Sequence, residues 1–131
     1  MTTDPISDLL ARLKNGALRR HEMVAVPASK LKRAILEILR REGYIDGVED
    51  GEQSGHPMLN VRLRYVSDGK PMITGLQRIS KPGRRVYIGS MDIAKVRNGI
   101  GMSILSTSKG LMTDQDSRRQ KLGGEVLCSV W

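Results

Sequence analysis

Phenylalanine is missing from this chain of 131 residues, and aromatic side chains make up only 3% of it, as Tyr44, Tyr65, Tyr87 and Trp131. A core built without them must be aliphatic. The shortage also argues against nucleic-acid modules that splay bases over two or three surface aromatics. Cys128 is the one cysteine, which excludes an internal disulfide framework and a C-x-x-C zinc finger. Set in an apolar segment, it reads as a buried structural thiol, and a single cysteine suits a reducing, cytoplasmic setting. His21 and His56 have no ligand-spaced Cys or carboxylate beside them, so no metal is expected. Neither G-x-G-x-x-G nor G-x-x-x-x-G-K-[ST] occurs, so no cofactor is expected either. No apolar run approaches bilayer length, and Asp4 and Asp8 sit where a signal sequence would be positive and apolar. A membrane partner is therefore not expected.

What the chain does have is positive charge. Lys and Arg number 22 against 14 Asp and Glu, a formal balance of +8. Basic chains of this size usually meet a polyanion, nucleic acid first. The excess is uneven: residues 1–66 carry +2 and residues 67–131 carry +6. The second half is the stronger candidate for contact with phosphates.

Hydrophobic spacing gives an α+β reading with two small domains, 1–66 and 67–131. Asp4-Pro5 starts a helix whose apolar stripe is Ile6, Leu9, Leu10, Leu13 and Ala17. Met23–Val26 is a short strand. Ser29 caps a second helix with stripe Leu31, Ala34, Ile35, Ile38 and Leu39, opposite Lys30, Lys32, Arg33, Arg40 and Arg41, and Gly43 ends it. Tyr44–Val48 is a strand, a polar turn region runs to Pro57, and Leu59–Tyr65 alternates as a half-buried strand. The first half is thus α-β-α-β-β. Ser67-Asp68-Gly69-Lys70-Pro71 marks the boundary. Beyond it the spacing predicts strands at Met72–Ile79 and Arg85–Gly89, a short helix begun by Ser90-Met91-Asp92, and mainly β-structure to the end.

The chemistry concentrates in Ile104–Val130. An apolar strand, Met102–Leu105, breaks into Ser106, Thr107, Ser108, Lys109 and Gly110. Three adjacent hydroxyls and a lysine make a poor core segment but a good exposed tip. Thr113 then caps a short helix bearing Arg118, Arg119 and Lys121, which Gly123-Gly124 closes before a final strand. Asp114 and Asp116 read as charges complementing the helix start. Around a Pro82-Gly83 turn stand Arg78, Lys81, Arg84 and Arg85, with Tyr87 close by, a candidate grip for phosphates. Small hydroxyls, backbone N–H groups and cations suit a structured RNA read in its shallow minor groove by shape and 2′-hydroxyls. Two other classes stand beside this. A DNA-binding regulator would use helix Lys30–Arg41. A serine hydrolase would use the S-x-x-K pattern of Ser106 and Lys109, although the S-D-N and K-T-G companions are missing.

Nearly the whole chain also resembles a known family. Asp4-Pro5-Ile6, Pro27-Ala28-Ser29-Lys30-Leu31-Lys32, Glu42-Gly43-Tyr44-Ile45 and Ile79-Ser80-Lys81-Pro82-Gly83 are followed by Arg85-Val86-Tyr87, Ser106-Thr107-Ser108-Lys109-Gly110, Met112-Thr113-Asp114 and Gly123-Gly124-Glu125. In that order they resemble the bacterial ribosomal S-eight family, the eighth protein of the small ribosomal subunit. The resemblance implies a non-enzymatic constituent of the small subunit that binds the central domain of 16S rRNA and helps assemble the 30S platform. It implies neighbouring small-subunit proteins as partners and, in several bacteria, repression of the protein's own operon mRNA. By motif match, Ser106, Thr107, Ser108 and Lys109 would read the RNA. Tyr87, Gly124 and Glu125 would lie beside them, and Lys30 and Arg84 would touch backbone, with Lys81 and Arg85 in the basic loop. Gln115-Asp116-Ser117 and Ser103 depart from the usual pattern.

Overall fold

The computed structural model describes residues 4–89 and 101–131. The helix expected from Ser90-Met91-Asp92, with Ile93 and Val96 inward, lies outside the described residues. Contacts divide the chain into two compact units, Pro5–Thr74, and Gly75–Trp131 together with Asp4.

The first unit contains α1 (Pro5–Leu18), β1 (Met23–Pro27), α2 (Lys30–Arg41), β2 (Ile45–Gln53) and β3 (His56–Leu63). The strands form an antiparallel sheet in the order β1-β3-β2, with Val26 opposite Leu59 and Val48 opposite Val61. Leu9, Leu13, Ile35, Leu36, Leu39, Ile45, Leu59 and Val61 are sealed, giving the aliphatic core that the missing aromatics require. Ser29 caps α2 by accepting from the Lys32 N–H at 3.1 Å. Gly43, at φ 83, ends it, with the Tyr44 N–H bonded back to the Leu39 carbonyl.

Three local expectations change. Lys32 is buried rather than solvated, on the same helical face as Ile35, Leu36 and Leu39 by spacing, and its ammonium donates to the Pro27 carbonyl at 3.2 Å, whereas Leu31 is 40% exposed. The polar turn region is mostly strand. β2 runs to Gln53 and turns through Ser54 and Gly55, both at positive φ, straight into β3. An edge strand with most of its residues in water needs few apolar residues, so composition hid it. Lastly, the Ser67–Pro71 turn is fastened to the first unit by the Tyr65–Pro71 bridge and by the Met72 N–H to the Arg64 carbonyl at 2.9 Å. The change of unit therefore falls at Thr74/Gly75, later than residue 66.

The second unit contains β4 (Leu76–Arg78), β5 (Tyr87–Ile88), β6 (Met102–Thr107), β7 (Gly110–Thr113), α3 (Asp114–Arg119) and β8 (Gly124–Val130). Its strands form one sheet in the order β4-β8-β6-β7, with β5 also on β8. The expected strands of 72–79 and 85–89 shrink to β4 and β5. Neither pairs with the other, because each takes its partners from β8: Arg78 faces Cys128, and Tyr87 faces Glu125. Leu105 and Val126 form an inner cluster with Ile79 and Ile88 against it. Cys128 is fully buried, and burial pushes its thiol up to about 12. The whole is α+β.

Candidate nucleic-acid interface

Strand register brings the distant motifs to one end of the second sheet. Glu125 on β8 is opposite Tyr87 on β5 and opposite Ser106 on β6, which in turn is opposite Leu111 on β7. Residues directly across a ladder point to the same face, with strands about 4.8 Å apart. Tyr87, Glu125, Ser106 and Leu111 therefore form one row. Tyr87 is 68% exposed, and the other three are half-buried. Beside the row, Gly124 lets β8 approach β6. A methyl at Gly124 would lie 2.3 Å from the Ser106 carbonyl oxygen and 3.2 Å from Thr107 Cγ2.

The hydroxyl tip is the two-residue turn Ser108-Lys109 between β6 and β7, with Thr107 paired to Gly110. Gly110 takes φ 101, a conformation that an L side chain resists. Thr107 Oγ1 donates to the Gly110 carbonyl at 2.8 Å and accepts from the Lys109 N–H at 3.1 Å. Its hydroxyl shapes the turn. Ser106 and Ser108 have no hydroxyl partner among the described residues, and Ser108 and Lys109 are exposed.

On the other side of the row, β4 and β5 lie end to end along one edge of β8, and the chain leaves that edge only between them. Residues 81–85 form the excursion. Lys81 and Arg84 close its Pro82-Gly83 turn with backbone bonds of 3.0 and 2.9 Å. Lys81, Arg84 and Arg85 are all exposed. Arg85 binds Glu125 Oε2 at 3.1 Å, and the buried Ser80 hydroxyl donates to the same oxygen. That hydrogen bond, helped by Arg85, holds the Glu125 carboxyl below its ordinary value of 4.5 although partial burial opposes it. Lys81, Arg84 and Lys109 have no carboxylate partner among the described residues.

Other expected cations are spent internally. Arg78 is not part of the surface loop: its side chain is 8% exposed, pairs with Asp4 at 3.1 Å and donates to the Leu127 carbonyl at 2.6 Å. On α2, Arg33 pairs with Asp50, Arg40 pairs with Glu37 and Lys32 is buried, which leaves that helix poorly equipped to displace counterions from a DNA backbone. Lys30 is exposed at the first position of α2, in the other unit. Near the tip, Thr113 caps α3 by accepting from the Asp116 N–H at 3.2 Å. Asp114 does more than complement a dipole. It is buried, accepts from the Ser103 N–H at 3.1 Å and pairs with Arg118. Ser106 sits on a strand, not at the helix start that S-x-x-K acylase chemistry needs.

Of the residues expected at an RNA surface, Ser106, Thr107, Ser108, Lys109, Lys81, Arg84, Arg85, Tyr87, Gly124 and Glu125 all lie in this unit. The structure adds Ser80 and Leu111 to their neighbourhood, through the Ser80 bond to Glu125 and the pairing of Leu111 with Ser106. Strand alternation about Ser106 offered a signal for Leu111, but nothing local marks Ser80. No helix among the described residues is long and apolar enough to cross a membrane.

The family model described as ribosomal protein S8 matches residues 4–131. The chain is 50% identical over 131 residues to the small ribosomal subunit protein uS8 of Sorangium cellulosum, covering all of both chains. The protein of the same description from Nitratidesulfovibrio vulgaris is also 50% identical over 131 residues with full coverage of both. The one from Clostridium tetani is 47% identical over 129 residues, 98% of each chain.

Proposed function

Because the chain belongs to the ribosomal protein S8 family, and so to the proteins of the small ribosomal subunit rather than to enzymes, we propose that it is a primary binder of the central domain of 16S rRNA. Bound early, it helps assemble the 30S platform beside neighbouring small-subunit proteins in the cytoplasm. The observation that carries this reading is the row Tyr87–Glu125–Ser106, flanked on one side by the Ser108-Lys109 turn and on the other by the basic loop.

Each part of that surface has a task in an A-form groove. The Ser106 and Ser108 hydroxyls, without a partner among the described residues, donate and accept, which suits 2′-hydroxyls and base edges in a shallow minor groove. Lys109, Lys81 and Arg84 neutralise phosphates and set the docking register, a contribution indifferent to sequence. Glu125 accepts only. Between cations it welcomes an N–H or 2′-OH donor and repels a misplaced phosphate. The exposed ring of Tyr87 offers a flat surface to a ribose or an unstacked base. Lys30 adds a backbone contact from the first unit. A messenger that folds to the same shape would compete for this surface, which gives the protein a route to repress its own operon.

Competition binding tests the reading. The protein should retain folded small-subunit rRNA against excess duplex DNA and unrelated RNA. Replacing Ser106 and Ser108 with alanine should weaken the specific complex far more than the nonspecific one. Equal losses would refute groove reading by the hydroxyls.

A further inference from the structure

Ser80 lies outside the expected contact residues, yet it is fully buried at the root of the basic loop. The chain leaves the edge of β8 at Ser80, whose N–H donates to the Val126 carbonyl at 3.0 Å. It returns at Val86, whose carbonyl accepts from the Val126 N–H at 2.9 Å. Both ends of the excursion thus land on one residue of β8. Across the gap, Ser80 Oγ accepts from the Val86 N–H at 3.1 Å and donates to Glu125 Oε2, which also binds Arg85. One hydroxyl ties the two roots of the loop to each other and to the carboxylate that holds its last cation.

Resting on the RNA-binding reading above, we propose that Ser80 is a positioning residue that presets the Lys81–Arg85 loop for the RNA backbone, acting through Val86 and Glu125 without touching RNA itself. The role demands a hydroxyl and not merely a small side chain, because the group must donate to a carboxylate and accept from an N–H at once. Alanine leaves the Val86 N–H without this acceptor and Glu125 with one donor fewer. Lys81 and Arg84, which have no carboxylate partner among the described residues, are the cations that a loosened loop would scatter. Ordering them in advance removes that cost from the binding step.

The test uses the full chain with Ser80→Ala and Ser80→Thr, each also made in a Lys81→Ala/Arg84→Ala background. Two quantities are read: affinity for small-subunit rRNA, and amide hydrogen exchange at Arg84 and Val86 in the free protein. Ser80→Ala should weaken rRNA binding about tenfold, the value of one hydrogen bond to a charged group, and speed exchange at both amides. Ser80→Thr, which keeps the hydroxyl, should restore both. In the background lacking Lys81 and Arg84, Ser80→Ala should cost little more affinity, since the effect runs through those two cations. An equal loss in that background, or unchanged exchange at Val86, overturns the proposal. A parent protein with no preference for rRNA over unrelated RNA overturns instead the RNA-binding reading and the functional half of this one, while the exchange data still report whether the serine holds the loop.

Discussion

Gly124→Ala is the smallest change that should disable the interface. The added methyl would meet the Ser106 carbonyl oxygen at 2.3 Å, the Ser106 carbonyl carbon at 3.0 Å and Thr107 Cγ2 at 3.2 Å. The first two atoms are backbone and cannot rotate away. Relief requires β6 and β8 to part by roughly 1 Å at the row that carries Ser106 and Glu125, an overpacking cost of about 1–3 kcal/mol. A urea midpoint should then fall by roughly 0.5–2 M, and rRNA affinity should fall with it because the row no longer aligns. Gly47→Ala is the control. Nothing lies within 4 Å of its added carbon and its φ is not positive, so its stability should stay within about 0.5 kcal/mol of the parent. If Gly124→Ala matched Gly47→Ala in both midpoint and affinity, the close approach of β8 to β6 would not be what holds the site.

Lys109→Ala should lower the slope of log affinity against log salt by about 1, whereas Ser108→Ala should weaken rRNA binding at an unchanged slope; salt titrations of both variants check this. Lys121 ends α3 at φ 58, the position that Gly43 fills after α2. Lys121→Gly should therefore stabilise by about 0.5–1 kcal/mol and Gly43→Ala should destabilise by about 1 kcal/mol, both read by urea unfolding. Asp114→Ala leaves the buried Ser103 N–H without its acceptor and should cost about 1–3 kcal/mol in the same assay. Because the Glu125 carboxyl is held below its ordinary 4.5, its ionised form stabilises the fold above that value, and the contribution is lost as pH falls through the lower folded one. The stability gap between parent and Glu125→Gln should be full at neutral pH and close on acidification below about 4.5; a gap that widened in acid would refute the linkage.

Local signals were readable where local physics decides. Ser29 and Thr113 cap the helices they were expected to cap, and the stripe of Ile6, Leu9, Leu10 and Leu13 is buried. The hydroxyl tip was legible because three adjacent hydroxyls and a lysine have no place in a core. What escaped depends on pairing between residues far apart in the chain. β4 and β5 were expected as longer strands, yet each is short and finds its partner in β8, at the far end of the chain, which no nearby pattern reveals. Arg78 looked like one more loop cation until Asp4 and the Leu127 carbonyl claimed it. Lys32 looked solvated because its charge was counted and its long apolar stem was not. Ser80 matters only through groups brought to it from β8 and from beyond the loop, so its residue type alone could not announce it.

Cleavage of RNA from the tip would locate the Ser108-Lys109 turn on the bound RNA. In Ser108→Cys the new thiol stands exposed, while Cys128 is sealed and its thiol is pushed up to about 12, so an iron chelate attaches at the tip. Bound to total small-subunit RNA, the tethered iron should cut the two strands facing one minor groove of a single helix in the central domain of 16S rRNA. Cuts scattered over unrelated helices, at a concentration where the labelled protein is bound, would contradict placement of this turn in a groove.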